Sequence, residues 1–269
     1  MRTSLCEQFE VRWALPIQVS SLFDRELEKE KFVSDKVDRS TDVDHGSEVK
    51  TPSRRPIRSR DSRWARVVTD RLIRWRFSPN AISVAGMVGA MLAGVLLAAT
   101  SSLDGIVERA AWIGIGLLCQ FRLLCNLFDG MVAVDSGKAS AVGELYNEVP
   151  DRISDVAIFV GLGYASFATP WLGWAAAVMV VFVPYVRMMA VSAGAPNDFC
   201  GPMAKPQRMA LVTGLAVAMA VLPDWLQSVA NKPHLSWVNL VLVIVVVGCC
   251  ITSVRRLSRA AKWLRSRRG

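Results

Sequence analysis

The chain reads as an all-α, polytopic membrane protein, with six transmembrane helices preceded by a juxtamembrane amphipathic helix. Three observations predict this. Of the 269 residues 52% are apolar, and they gather into six runs long enough to cross a hydrocarbon layer of ~30 Å. The net charge of +9 is segregated: residues 51–78 hold nine Arg against two Asp, and residues 255–269 hold seven Lys/Arg and no acid. Amides and carboxylates inside the apolar runs recur at helical spacing, and ionisable groups in spanning segments are costly enough to be read as functional.

Residues 1–60 form the first segment, charged and rich in Ser and Asp; residues 1–50 carry eight Lys/Arg against eleven Asp/Glu. Such a composition buries too little apolar surface to fold alone, so a disordered cytoplasmic arm is expected. The first thirty residues lack a basic start followed by a long apolar core, which predicts no cleavable leader. Across 61–77, Trp64, Val68, Leu72 and Trp75 fall on one stripe and Arg63, Arg66, Arg71, Arg74 and Arg76 cover the rest. That pattern predicts an interfacial helix lying on an anionic leaflet.

The spans are expected near 80–100, 110–128, 148–168, 172–193, 208–226 and 235–254, inside a membrane domain of 78–255, with a basic cytoplasmic tail at 256–269. Gly86, Gly89 and Gly94 allow close helix contact. The N-terminus, 135–142, 195–208 and the C-terminus together hold most of the Lys and Arg. By the positive-inside rule both termini face the cytoplasm. Basic clusters that flank spans fit lipid headgroups and topology, not nucleic acid. The six cysteines show no CxxC spacing, and four lie in apolar runs, so no disulfide framework is implied.

Asn126 and Asp129 are three apart on the second span, and Asn147, Asp151 and Asp155 are four apart on the third. Each set lines one helix face. The topology puts Asp129 and Asn147 at the cytoplasmic ends of their spans, facing water-soluble substrates. Oxygen ligands of this kind suit Mg²⁺, Mn²⁺ or Ca²⁺, and hard divalent ions in enzymes commonly hold substrate phosphates. Gly130, Ala133 and Gly143 are small residues beside them, where a nucleotide diphosphate could approach the backbone.

These residues stand in register with a signature, D-x2-D-G-x2-A-R-x8-G-x3-D-x3-D: Asn126 at its first Asp, Asp129-Gly130 at Asp-Gly, Ala133-Val134 at Ala-Arg, Gly143 at the second Gly, and Asn147 and Asp151 at the last two Asp. In this the chain resembles the CDP-alcohol phosphotransferases, integral membrane enzymes of phospholipid synthesis. Ser78-Pro79-Asn80-Ala81-Ile82-Ser83 is similar to that family's Pro-Asn start of its first span, so the resemblance covers roughly residues 61–255. It implies attack of an alcohol hydroxyl on the β-phosphorus of CDP-diacylglycerol or a related CDP-alcohol, with release of CMP. Asn126, Asp129, Asn147 and Asp151 would hold divalent metal, Asp151 would be the base, and Gly130, Ala133 and Gly143 would lie at the nucleotide. Two signature carboxylates are Asn here, which predicts weaker metal binding, or one tight metal and one that arrives with the nucleotide. Asp135 reads as a solvated loop charge. Lys205 and Arg208 are expected either at the acceptor or its phosphate, or as snorkelling anchors; Arg187 and Tyr185 carry the same two readings. The implied setting is the inner (plasma) membrane, with lipids around the chain and a homodimer open. A non-catalytic scaffold relative and an ion-coupled transporter are the rival classes.

Depth counting assigns Asp155. The second and third spans run antiparallel, so Asn126 is expected level with Asp151, and Arg122 level with Asp155. An Arg122–Asp155 contact supporting the site from beneath is predicted, with Asp155 outside the metal shell. Arg152 is a rival partner for Asp155 but lies off that face, and is expected to reach lipid phosphate or another helix.

Overall fold

A computed structural model of the chain describes residues 62–137, 141–222 and 236–267, with the backbone alone for 141, 142 and 144–146. The expected arm at 1–60 and most of the loop near 224–236 lie outside the described residues. Among the described residues the chain is all helix: α1 (Arg63–Arg74), α2 (Pro79–Ala99), α3 (Gly105–Asp135), α4 (Ala141–Gly163), α5 (Pro170–Ser192), α6 (Lys205–Val221) and α7 (Trp237–Ser266), with one 3₁₀ turn at Thr100–Ser102.

The helix boundaries follow from local chemistry. Ser78 caps α2 by accepting from the Ala81 N–H at 3.2 Å, and Pro79 opens the helix, where its missing N–H costs nothing. Gly137, at φ 66°, ends α3 in the left-handed region. Ser236 caps α7, which continues unbroken past 255, through the expected start of the basic tail, to Ser266.

Each of the six expected spans falls on a helix. Four of these, Pro79–Ser102, Gly105–Asp135, Pro170–Ser192 and Trp237–Ser266, are long and apolar enough to cross a membrane. The other two differ for physical reasons. Helix α4 carries Glu148, Asp151, Arg152 and Asp155, and α6 has 17 residues.

Helix α2 lies between α3 and α4; α4 also meets α5, α5 packs on α7, and α3 packs on α6. The core between them holds Trp112, Ile115, Phe159, Leu162, Val180, Met209 and Leu242, all buried. Glycines bring α2 and α4 into backbone contact. A Cβ on Gly94 would strike the Ala157 carbonyl, and one on Gly161 would strike the Gly94 backbone.

Helix α1 packs against α3 and the start of α2, but not through the whole expected stripe. Ala65 and Thr69 are fully buried, with Val68, Leu72 and Ile73 partly so, against Ile82, Cys125, Phe128, Met131 and Val132. The small Ala65 and Thr69 let the helix axis approach closely. Trp75 is exposed, and Trp64 is half exposed with its edge on Phe128, centroids 5.9 Å apart.

Two outcomes follow. Gly161→Val should destabilise the fold by about 1–3 kcal/mol through overpacking against α2, seen as a lower Tm in detergent with membrane insertion retained. Cysteine labelling along 62–77 should protect positions 65, 68, 69 and 72 and leave 63, 66, 67, 71 and 74 reactive; uniform labelling would contradict this packing.

Candidate active site

The signature residues come from the last three turns of α3 and the first half of α4, and the structure brings them together. Asp129 is buried, and its Oδ2 accepts the Ser83 hydroxyl at 2.7 Å. With its one hydrogen given to Asp129, the same oxygen lies 3.4 Å from Asn147 Oδ1 and 3.2 Å from the Pro79 carbonyl, so Ser83 of α2 brings oxygens of α3 and α4 together at this level. Asp129 Oδ1 is buried and accepts no hydrogen bond of ordinary geometry from any described residue. Three oxygens, one carboxylate among them, thus converge from three helices, a donor set able to hold a hard cation.

Asp151 is occupied differently. Asn126 Nδ2 donates to Oδ1 at 3.2 Å and to Oδ2 at 3.4 Å, Arg122 Nη2 donates to Oδ1, and Lys205 Nζ stands 2.5 Å from Oδ2. Asn126 is level with Asp151, as the depth count expects.

The expected Arg122–Asp155 contact is not made. Arg122 pairs with Asp151, and Asp155 Oδ2 pairs with Arg208 Nη2 at 2.7 Å. The count matches backbone levels but leaves out side-chain length: an extended arginine reaches about one helical turn of ~5.4 Å, enough to carry Arg122 from the Asp155 level to Asp151. Arg208 is 2% exposed and also donates from Nη1 to the Met203 carbonyl at 3.1 Å. It therefore lies inside the bundle as an ion-pair partner, neither a snorkelling anchor nor an open phosphate ligand. Lys205 is the one of the two that reaches the signature carboxylates. Arg152 bonds Glu148 on its own helix at 2.6 Å and lies 3.9 Å from Asp155, contrary to the expected reach to lipid or another helix.

Gly130 and Ala133 follow Asp129 on α3, half-buried, and Gly143 is half-buried at the start of α4. Val134 and Asp135 are exposed at the end of α3. Tyr185 is exposed beside Phe182 and does not join the site.

Three residues were missed from sequence. Ser83 is the buried hydroxyl just described; a serine one turn into an apolar helix, beside the Pro-Asn start, is the signal that could have found it. Glu148 accepts from both Arg152 and Arg187, the latter at 2.9 Å. Arg256, expected at the lipid surface, is buried and donates to the Cys200 and Val183 carbonyls at 2.9 and 3.2 Å. Arg187, Arg256 and Arg259, with Asn197, Asp198 and Trp263, line a cavity of about 320 Å³.

The family model for CDP-alcohol phosphatidyltransferase matches residues 76–255. The chain belongs to the CDP-alcohol phosphatidyltransferase family. Membership makes it a transferase of phospholipid synthesis. Among characterised relatives it is 23% identical over 186 residues to Inner membrane protein YnbA of Escherichia coli (strain K12), covering 69% of this chain and 85% of that one. It is 25% identical over 154 residues to the phosphatidylinositol phosphate synthase of Mycolicibacterium smegmatis, covering 55% of this chain and 65% of that one. The phosphatidylinositol phosphate synthase of Mycobacterium tuberculosis shares the fold at 20% identity. Its structure with CDP-DAG bound gives a TM-score of 0.60 over 74% of this chain and 94% of that one. Its structure with manganese and citrate gives 0.59 over 73% and 88%. With four apolar helices and an inner-membrane relative, this CDP-alcohol phosphatidyltransferase is an integral membrane protein.

The Arg208–Asp155 pair is a stability element. Arg208→Ala strands a carboxylate that is 1% exposed and should cost about 3–5 kcal/mol, whereas the apolar double change Arg208→Met/Asp155→Leu should recover most of it. Thermal unfolding of the three proteins in one detergent checks this; additive losses in the double variant would contradict it.

Proposed function

We propose that this transferase moves a phosphatidyl or related phospho-alcohol group from a CDP-linked donor, CDP-diacylglycerol in the first instance, to an alcohol hydroxyl, releasing CMP. The observation that carries the reading is the convergence of all four signature positions: Ser83 joins Asp129 to Asn147, and Asn126 meets Asp151. Family membership, a fold relative crystallised with CDP-DAG and another crystal of it with manganese support it. We read residues 78–255 as six spans with both termini and the site on the cytoplasmic side. Helix α1 lies along an anionic leaflet, its exposed Arg63, Arg66, Arg71 and Arg74 toward headgroups.

A divalent cation, Mg²⁺ or Mn²⁺, would be held by Asp129 and Asn147, with Ser83 orienting the carboxylate, and would neutralise the diphosphate and the departing CMP oxygen. Gly130, Ala133 and Gly143 present little side chain, so the nucleotide can lie against α3 and the start of α4. Asp151 accepts the proton of the attacking hydroxyl; a hydroxyl polarised beside cations needs only a modest base. Lys205 and Arg122 orient Asp151 and put positive charge beside the negative charge of the transferred phosphoryl oxygens. The arginine-lined cavity, linked to α4 by Arg187–Glu148, suits an acceptor alcohol that carries an anionic group.

The test is metal-dependent CMP release from CDP-diacylglycerol by the purified protein across a panel of alcohols. Release should require Mg²⁺ or Mn²⁺, be greatest with a phosphorylated alcohol, and fall by at least about 100-fold in Asp129→Ala and Asp151→Ala while both remain folded. Unchanged release in Asp129→Ala would exclude the assignment.

A further inference from the structure

The two carboxylates of the site are neutralised in different ways. Asp129 is buried, takes the Ser83 hydroxyl, lies beside the Gly130 N–H, and forms no ion pair with a described Lys or Arg, the Lys205 charge acting on it only from its place at Asp151. Asp151 is met by two positive charges from two different helices, Arg122 of α3 and Lys205 of α6, and by the Asn126 amide. Facing a carboxylate, Asn126 must present its N–H groups, so its carbonyl oxygen does not face the Asp151 oxygens. Sequence and geometry agree here. Where a carboxylate at 126 could ligate a cation beside Asp151, this chain has an amide that donates, and the space at Oδ2 is taken by the ammonium of Lys205.

A divalent ion brought to Asp151 would meet like charge from Lys205 and Arg122, both within contact of the same carboxylate, and would find one carboxylate instead of two. At Asp129 the opposite holds: a buried, unpaired anionic oxygen lies with the Ser83 hydroxyl and the Asn147 carbonyl. We propose that this chain binds a single divalent cation, at Asp129 and Asn147 with Ser83, and that Lys205 and Arg122 supply at Asp151 the positive charge a second cation would bring. The inference rests on the phosphotransferase reading and deepens it. Lys205 and Arg122 are charge-supplying and positioning residues; the lysine ammonium is a compact point charge on a flexible stem, able to serve Asp151 and an incoming phosphate in turn. It also accounts for the two signature asparagines together. Asn126 becomes a donor to a carboxylate already paired with cations, and Asn147 a neutral ligand for one ion.

The experiment is a Mn²⁺ titration of the full chain in detergent without nucleotide, reading free ion by electron paramagnetic resonance, with CMP release from CDP-diacylglycerol measured on the same preparation. One bound ion per chain is expected, and none in Asp129→Ala. Lys205→Arg should keep one. The double variant Asn126→Asp/Lys205→Gln should bind two, with spectral broadening from magnetic coupling between neighbouring Mn²⁺ ions, which a merely structural role for Lys205 would not produce. Two ions or none on the parent chain would overturn the proposal, as would a single ion on a double variant shown by thermal unfolding to be folded. If that variant does not fold, the parent count alone decides. CMP release with two ions bound would leave the transferase reading standing and remove this one; one ion bound with no CMP released from any alcohol would do the reverse.

Discussion

A carboxylate taken out of water must find a cation or strong donors, and α4 turns two such carboxylates inward one turn apart, Asp151 near the mouth of the bundle and Asp155 below it. Helices α3 and α6 are arranged around that requirement. Arg122 comes from α3 to Asp151; Lys205 and Arg208 come from α6 to Asp151 and Asp155 in turn. The order of these last two pairs fixes direction. Moving from Lys205 to Arg208 along α6 and from Asp151 to Asp155 along α4 descends the same way, so the two helices run parallel. A helix with this much charge is too polar to cross a membrane alone, and α6 is short; each becomes tolerable because its polar face is matched by the other.

Contacts between α2 and α4 obey the same geometry. Near their starts Ser83 reaches Asn147, and about 16 Å further along, at 1.5 Å per residue, Gly94 meets Ala157 and Gly161. The deep level is closed by backbone touching backbone, which only residues without a Cβ permit. The upper level is held by one shared hydroxyl. Tight closure at depth and a polar link above leave the signature residues at the mouth of the helix group instead of its middle, which is where a water-soluble nucleotide can be met.

How far the sequence foretold this depends on which physical quantity was involved. Helix positions were legible because apolar runs and Pro or Ser starts mark them directly, as at Ser78-Pro79 and Ser236. The level of Asn126 against Asp151 was legible because rise per residue is nearly constant. Which cation answers which carboxylate was not, since Arg122 reaches a full turn and Arg208 comes from a helix over 50 residues away in sequence. The α1 stripe failed in part for a related reason: hydrophobicity selects Trp64 and Trp75, but packing against Phe128 and Met131 selects the small Ala65 and Thr69. Ser83 was hidden because a single serine in an apolar run has many ordinary uses.

Exposure separates the two ion-pair levels into different kinds of interaction. At Asp155 and Arg208 the side chains are 1% and 2% accessible, so neither can leave its partner without stranding a charge in the bundle. One turn above, Asp151 and Lys205 retain 14% and 18%, and Asp151 is shared among three donors. The accessible part of Lys205 is its stem, since Nζ itself is buried against Asp151, which Arg122 and Asn126 also hold. The lower pair is thus a closed ion pair between α4 and α6, and the upper group is a carboxylate shared by several cations and an amide above it. Because both levels use the same two helices, the geometry that buries the first also positions the second, and the placement of the cations around Asp151 is settled by folding itself.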